Sequence, residues 1–270
     1  MYIAIDIGGT KTLIATLTDE GVIQESIKFP TPETYEDFLE ELTHAVDSFT
    51  THDFRAGAIG APGSIDRTQG IVEQLGNRPN WKKLHLLRDI ERITQCPMRI
   101  ENDAKLAGLS EYMLLKKQYK RVLYVTISTG IGIGLTVDGK IDETIGDGGG
   151  RTILLEHHGK LVPWETFGSG SAIVKKYGKM ASEIEDKAIW AEIVRTFTPG
   201  LIELIAILEP EAIVIGGGAG HYLDRFHDLL LKDMKQYETP MLQIPPILPA
   251  MRPDEAVIYG CYDYARQRYT

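Results

Sequence analysis

The spacing of apolar residues changes period several times along the chain. "MYIAIDIG", "TLIATLTDEG" and "VIQESIKFP" are apolar or alternating runs broken by glycine and acid-glycine turns, which predicts three neighbouring strands in a meander. From about Glu33 to Ser48 the spacing becomes helical, with Phe38, Leu39, Leu42, Ala45 and Val46 in register. "RAGAIGAPG" then returns as a buried strand and completes one α/β half. The pattern restarts with the short strand "PMRIEN", the helix "DAKLAGLSEYMLLKK" and two strands around a glycine turn in "RVLYVTISTGIGIGLTVDGKI". Helices over roughly Ser169–Tyr177 and Lys187–Leu208 lead to the strand "EAIVIGGG", the helix "LDRFHDLLLKDMKQY" and a closing amphipathic helix, "DEAVIYGCYDYARQR". The repeated order of strands then helix predicts an N-terminal α/β lobe over 1–101 and a larger C-terminal one over 102–253. The helix at about 254–270 is expected to pack back on the first.

Composition narrows the class. The 270 residues are 43% hydrophobic, enough for a substantial core. A net charge of −9 argues against a nucleic-acid or anionic-membrane surface, so any anion site must be local. Cys96 and Cys261 stand far apart with no CxxC spacing, which indicates neither a disulfide framework nor a cysteine zinc site. With no basic leader and no apolar run of membrane-spanning length, a soluble cytoplasmic protein is expected.

Three glycine loops follow apolar strands. In "DIGGTKT" the glycines would let backbone N–H groups approach a phosphate, and Asp6 could hold Mg²⁺ through water; a plain hairpin turn is the alternative. "STGIGIG" (128–134) repeats the arrangement with Ser128 and Thr129 as hydroxyl donors, and "IVIGGGAG" (213–220) ends a strand ahead of a helix. None fits the P-loop or the dinucleotide fingerprint. "IENDAKLAG" places Asn102 and Asp103 where a strand gives way to a helix. A carboxylate beside an oriented amide can deprotonate and position a hydroxyl, and the same residues can cap the helix; both roles are compatible.

Taken in order, the three loops resemble the actin-like ATPase fold. "IAIDIGGTKTLIATLTDEG", "GAPGSID", "GNRPNW", "IENDAKLAGLSE", "STGIGIGLTVDGKI", "WETFGSGSAIVKKYG", "EAIVIGGG" and "DEAVIYGCYDYA" are together similar to the ROK family of bacterial sugar kinases. The resemblance implies an α/β, two-lobed, ribonuclease H-like architecture with ATP-Mg²⁺ and a sugar in a cleft between the lobes. It further implies Asp103 as general base and Gly63, Asn77, Asn102, Asp147 and Glu165 at the sugar, with Trp81 in the same segment as Asn77. For the nucleotide it implies Asp6 (Mg²⁺ through water), Gly8, Gly9, Thr10 and Lys11, then Thr129, Gly130 and Gly132, then Gly216, Gly217 and Gly218 beside the nucleoside. Homodimers are common in the family.

One stretch departs from that pattern. Where most of the family reads G-E-x-G-H followed by a zinc-binding cysteine loop, this chain reads "GDGGGRTILLEHHGKLVPWE", which keeps a shorter acid, Asp147, and puts Gly150 at the histidine, or Arg151 or Thr152 if the alignment shifts by one or two residues. No zinc is expected, and the segment after it reads as a short hairpin. His157 and His158, adjacent on a strand, should point to opposite faces and make poor co-ligands. Arg151 is the candidate substitute for the histidine, which would favour a different or anionic sugar substituent. The expected activity is ATP-dependent phosphorylation of a hexose, glucose first, at the C6 hydroxyl. Loss of the histidine leaves an impaired sugar-binding or regulatory protein as the alternative, or a kinase using another donor such as polyphosphate.

Overall fold

The computed structural model describes residues 1–75, 78–115, 118–252 and 254–269. The chain divides into two compact units, one of Met1–Ser110 with Asp254–Thr270 and the other of Glu111–Pro253.

In the first unit β1 (Tyr2–Ile7), β2 (Lys11–Leu17) and β3 (Ile23–Pro30) form the expected antiparallel meander. α1 (Tyr35–Asp47) starts where Thr34 accepts from the Asp37 amide, the local cap that its hydroxyl makes possible. β4 (Ala56–Ala61) runs parallel to β1. The next strands, β5 (Ser64–Asp66), β6 (Ile71–Leu75) and β7 (Arg78–Leu84), make a separate three-stranded sheet, followed by α2 (Leu86–Thr94). β8 (Met98–Asn102) pairs parallel to β4 and passes directly into α3 (Asp103–Leu114). The main sheet therefore runs β3-β2-β1-β4-β8.

The second unit repeats this scheme. β9 (Arg121–Ile127), β10 (Ile131–Val137) and β11 (Lys140–Ile141) are an antiparallel meander. A hairpin of β12 (Leu154–His157) and β13 (Lys160–Pro163) leads to α4 (Glu165–Gly168), α5 (Gly170–Tyr177) and the long α6 (Lys187–Leu208). β14 (Ala212–Gly216) joins β9 in parallel, α7 (Gly217–Gly220) and α8 (Leu223–Met234) follow, and β15 (Ile247–Pro249) completes the order β11-β10-β9-β14-β15. The Asp6–Lys11 turn and the Ser128–Gly130 turn are thus the same feature of two copies of one topology. No described helix is long and apolar enough to cross a membrane.

α9 (Ala256–Tyr269) belongs to the first unit and packs on β1 and β4. Two glycines permit the approach: a Cβ at Gly260 would lie 2.0 Å from the Leu106 carbonyl, and one at Gly60 would lie 2.5 Å from a Val257 methyl. Each unit has its own core. Trp81, Phe38 and Ile5 are buried in the first, and Trp164, Trp190 and Phe197 in the second. Burying such side chains is worth about 1.5–3 kcal/mol each, which is what holds the sheets and helices in register.

Candidate functional site

The candidate side chains of the first unit sit at strand ends. Asp6 pairs in register with Gly60 on β4, and Gly60 with Glu101 on β8, so the end of β1 lies level with the strand that delivers Asn102 and Asp103. Asn102 is buried, and its Oδ1 accepts from the amides of Ala104 and Lys105, capping α3; its Nδ2 donates to the Gly63 carbonyl at 3.5 Å. Asp103 follows as the first helical residue, part-buried, with Oδ1 accepting from the Ala104 amide at 2.8 Å. Burial, reinforced by the nearby Asp103 carboxylate and opposed by Lys28, pushes the Asp6 carboxyl up to about 7. A cation would relieve that unfavourable charge, so the pair fits the hard-ligand demands of Mg²⁺. Among the described residues no group of three or more histidine, cysteine or acid side chains is arranged to hold a metal by itself. A Mg²⁺ ion held there would need oxygens from outside these side chains to complete its coordination.

The first glycine loop is tighter than its composition suggests. The Gly8 amide donates to the Lys11 carbonyl at 2.9 Å, and a Cβ on Gly8 would lie 2.7 Å from that same oxygen. Gly8 is therefore a turn glycine whose N–H is already engaged, while Gly9 is part-buried and the side chains of Thr10 and Lys11 are exposed. Gly63 likewise has a backbone reason for being glycine. Its φ is +98° and a Cβ would meet the Gln74 carbonyl at 2.1 Å. Trp81, in the same segment as Asn77, is wholly buried, with its indole N–H donating to the Glu33 carbonyl at 2.9 Å; as a core residue it has no surface for a sugar. Asn77 lies outside the described residues.

In the second unit a cavity of about 430 Å³ gathers two of the glycine loops. Ser128 and Thr129 line one part of it, and Gly218, Ala219, His221 and Tyr222 another. Of the third glycine run only Gly218 has open space above it. A Cβ on Gly216 would collide with the Tyr124 hydroxyl at 2.2 Å, and one on Gly217, at φ +75°, with Thr126 Oγ1 at 2.5 Å. Those two glycines let α7 lie against β9. Met180, Ser171 and Ser182 also line the cavity. Reasoning from the sequence missed all three, and also Tyr222 and His221, although the last two directly follow "IVIGGGAG" and were within reach of that signal.

A smaller hollow beside it, about 240 Å³, joins Thr129 to Glu165, Ser169 and Lys175. Glu165 opens α4, and its Oε2 lies 2.8 Å from where a Cβ on Gly130 would be, so a side chain there would displace the carboxylate from the loop. Gly132, two residues on, lies under the glycine run: a Cβ on Gly149 would come within 3.3 Å of Gly132 Cα and 2.3 Å of the Ile131 carbonyl. Residues 149–151 form one 3-10 turn there, with Gly149 and Gly150 buried and Asp147 part-buried ahead of it. Arg151 Nε donates to Glu165 Oε1 at 3.0 Å.

The two adjacent histidines correct a sequence-based expectation. His157 ends β12, but His158 sits in the hairpin turn at φ +52°, and this brings the rings to 4.1 Å on the same side instead of opposite faces. His157 then stacks on Phe167 at 4.2 Å with an interplanar angle of 2°, a packing contact of the hairpin against α4.

Comparison with known proteins matches the ROK family over residues 2–268. A glucokinase of Streptomyces coelicolor is 26% identical over 99% of this chain and 98% of its own, and an N-acetyl-D-glucosamine kinase of Haemophilus influenzae is 28% identical over 96% and 97%. Among solved structures, a ROK glucokinase from Streptomyces griseus in complex with glucose and AMPPNP superposes with a TM-score of 0.83 at 24% identity, covering 98% of this chain and 99% of the other. With the duplicated strand topology, the loops at corresponding strand ends and a family match spanning almost every residue, the chain belongs to the ROK family and is a sugar kinase.

Proposed function

We propose that the protein transfers the γ-phosphoryl group of ATP to the C6 hydroxyl of a hexose, with glucose the first substrate to test. The observation that carries this reading is the division of labour at the end of β8. Asn102 Oδ1 caps α3, which sets Asp103 at the helix start within electrostatic reach of Asp6. Asp103 is the general base. It takes the hydroxyl proton as the sugar oxygen bonds to the γ-phosphorus and the bond from phosphorus to the bridging oxygen of ADP breaks. Asp6 would hold Mg²⁺ through water, and the cation, when bound, neutralises phosphate charge.

The cavity of about 430 Å³ is the proposed nucleoside site, of a size suited to a small ligand. Thr129, with the Gly130 turn, is assigned to the phosphates, as are Thr10 and Lys11 of the corresponding turn in the first unit. Glu165 and Asp147 are assigned to sugar hydroxyls. Relatives that phosphorylate glucose and N-acetyl-D-glucosamine support a hexose as acceptor. The test is ADP release with ATP-Mg²⁺ against glucose, mannose, fructose, glucosamine, N-acetylglucosamine, N-acetylmannosamine and allose. Asp103→Asn should keep the fold and lower kcat by at least ~10²-fold. An Asp103→Asn protein that turns over at the full rate would remove the base assignment.

A further inference from the structure

The glycine run at 148–150 has no room for side chains. A Cβ on Gly148 would lie 2.2 Å from a Thr152 methyl, one on Gly149 2.3 Å from the Ile131 carbonyl and one on Gly150 2.7 Å from Ile131 Cβ. The first long side chain to emerge after this packed turn is Arg151, whose side chain is 55% exposed. Only its Nε is engaged, by Glu165 Oε1 at 3.0 Å; among the described residues Nη1 and Nη2 have no hydrogen-bond partner. Glu165 is 22% exposed, and its other oxygen lies against Gly130, beside Thr129 in the hollow of about 240 Å³. Arg151 is thus tethered by one nitrogen next to a phosphate loop and keeps its remaining donors.

We infer that Arg151 is a specificity-determining residue. Its terminal nitrogens donate to an uncharged oxygen of the sugar, and the Glu165 carboxylate that tethers it turns anionic substituents away. The inference rests on the kinase reading and on Glu165 lying at the sugar. Its physical basis is charge. A guanidinium with a carboxylate 3.0 Å from Nε presents a pair of near-zero net charge, so a second carboxylate gains the attraction of one group and suffers the repulsion of the other. A neutral carbonyl or hydroxyl pays no such repulsion and still accepts the unspent N–H groups. The preference for an anionic substituent that an unpaired arginine would bring is therefore reversed.

Three sugars and four proteins test it. Glucose, N-acetylglucosamine and N-oxalylglucosamine offer at C2 a hydroxyl, a neutral acetyl group and an oxalyl group in which a carboxylate replaces the acetyl methyl. Wild-type protein should use the N-acetyl sugar at least ~10-fold better than the N-oxalyl sugar in kcat/KM. Arg151→Gln should lower kcat/KM for the neutral sugars by ~10- to 100-fold, the worth of a charged hydrogen bond, with an unchanged melting temperature because the side chain is exposed. Glu165→Gln should lower turnover overall and yet move the oxalyl-to-acetyl ratio at least ~10-fold toward the anion, a shift that a merely structural role would not produce. Wild-type preference for the N-oxalyl sugar, or Arg151→Gln rates within about twofold of wild type on every sugar, would overturn the inference. If Asp103→Asn still abolishes turnover in that second case, the kinase reading stands without it. Folded wild-type protein that releases no ADP with any sugar would sink both.

Discussion

Arg67 Nε donates to Glu101 Oε2 at 2.7 Å, and Glu101 is the residue directly ahead of Asn102. Glu101 is fully buried, a second guanidinium nitrogen bonds its Oε1, and the same oxygen accepts the Asn102 amide at 2.6 Å. A planar fork on one side and a backbone amide on the other hold the strand end from which Asn102 and Asp103 project. Removing the arginine leaves a buried carboxylate without its counter-charge, a loss of about 3–5 kcal/mol. Arg67→Ala should therefore lower the urea midpoint strongly. Arg67→Lys should recover only part of it, because an ammonium cannot bond both oxygens in a fork. An unchanged midpoint in Arg67→Ala would show that the pair does not brace this junction.

The raised carboxyl of Asp6 makes the stability of the ligand-free protein depend on pH. In the unfolded chain the group releases its proton near 3.8, and in the folded protein at about 7. Between those values the folded state holds the extra proton, so stability falls as pH rises from about 4 to about 7, by up to about 4 kcal/mol. Thermal midpoints of wild type and Asp6→Asn compared between about pH 5 and about pH 8 should show a steeper decline in wild type. Parallel curves would remove Asp6 as the source.

Restoring a histidine to the glycine run should harm the protein. A Cβ at Gly150 already meets Ile131 Cβ at 2.7 Å, and the turn is buried. Gly150→His should cost about 1–3 kcal/mol through overpacking, or displace the Arg151–Glu165 pair, and should not raise sugar turnover. Gly146→Ala, with no atom within 4 Å of the new Cβ, is the matched control and should melt near wild type. Equal melting of Gly150→His and the control would show that the loop yields freely.

Both cysteines should be silent toward thiol reagents while the protein is folded. Cys96 and Cys261 are buried, burial raises both thiols, and Cys261 is raised further by the nearby Asp6 charge. The thiolate is the reactive form, so labelling should wait for unfolding and follow the denaturation curve. Rapid labelling of either cysteine in native buffer would show that its segment opens.

Much of this protein was legible in one dimension. Among the meander strands β3 alternates buried and open positions, whereas β1, β2, β9 and β10 are near-continuous apolar runs because both of their faces are covered. α6 runs over Lys187–Leu208 as its apolar spacing predicts. The segment holding β5–β7 and α2 was not read. Register shifts at Ser64/Ile65 and Gln74/Leu75 break the period of two, and α2 is only nine residues long. The histidine pair failed for a related reason: period-two logic stops at a turn, and His158 has φ +52°.

The order of strands, glycine turns and acid-bearing junctions determined the family and the repeated architecture, since these features follow from hydrophobic period and turn chemistry carried by neighbouring residues. Only the tertiary structure decided which glycines are open to a ligand and which are there for packing, because that depends on atoms far away in sequence. Gly218 faces a cavity whereas Gly217 presses on Thr126, and Gly150 is held by Ile131. The same holds for charge. Arg151 reads as a lone cation in the sequence, and fourteen residues further on the fold supplies the carboxylate that neutralises it.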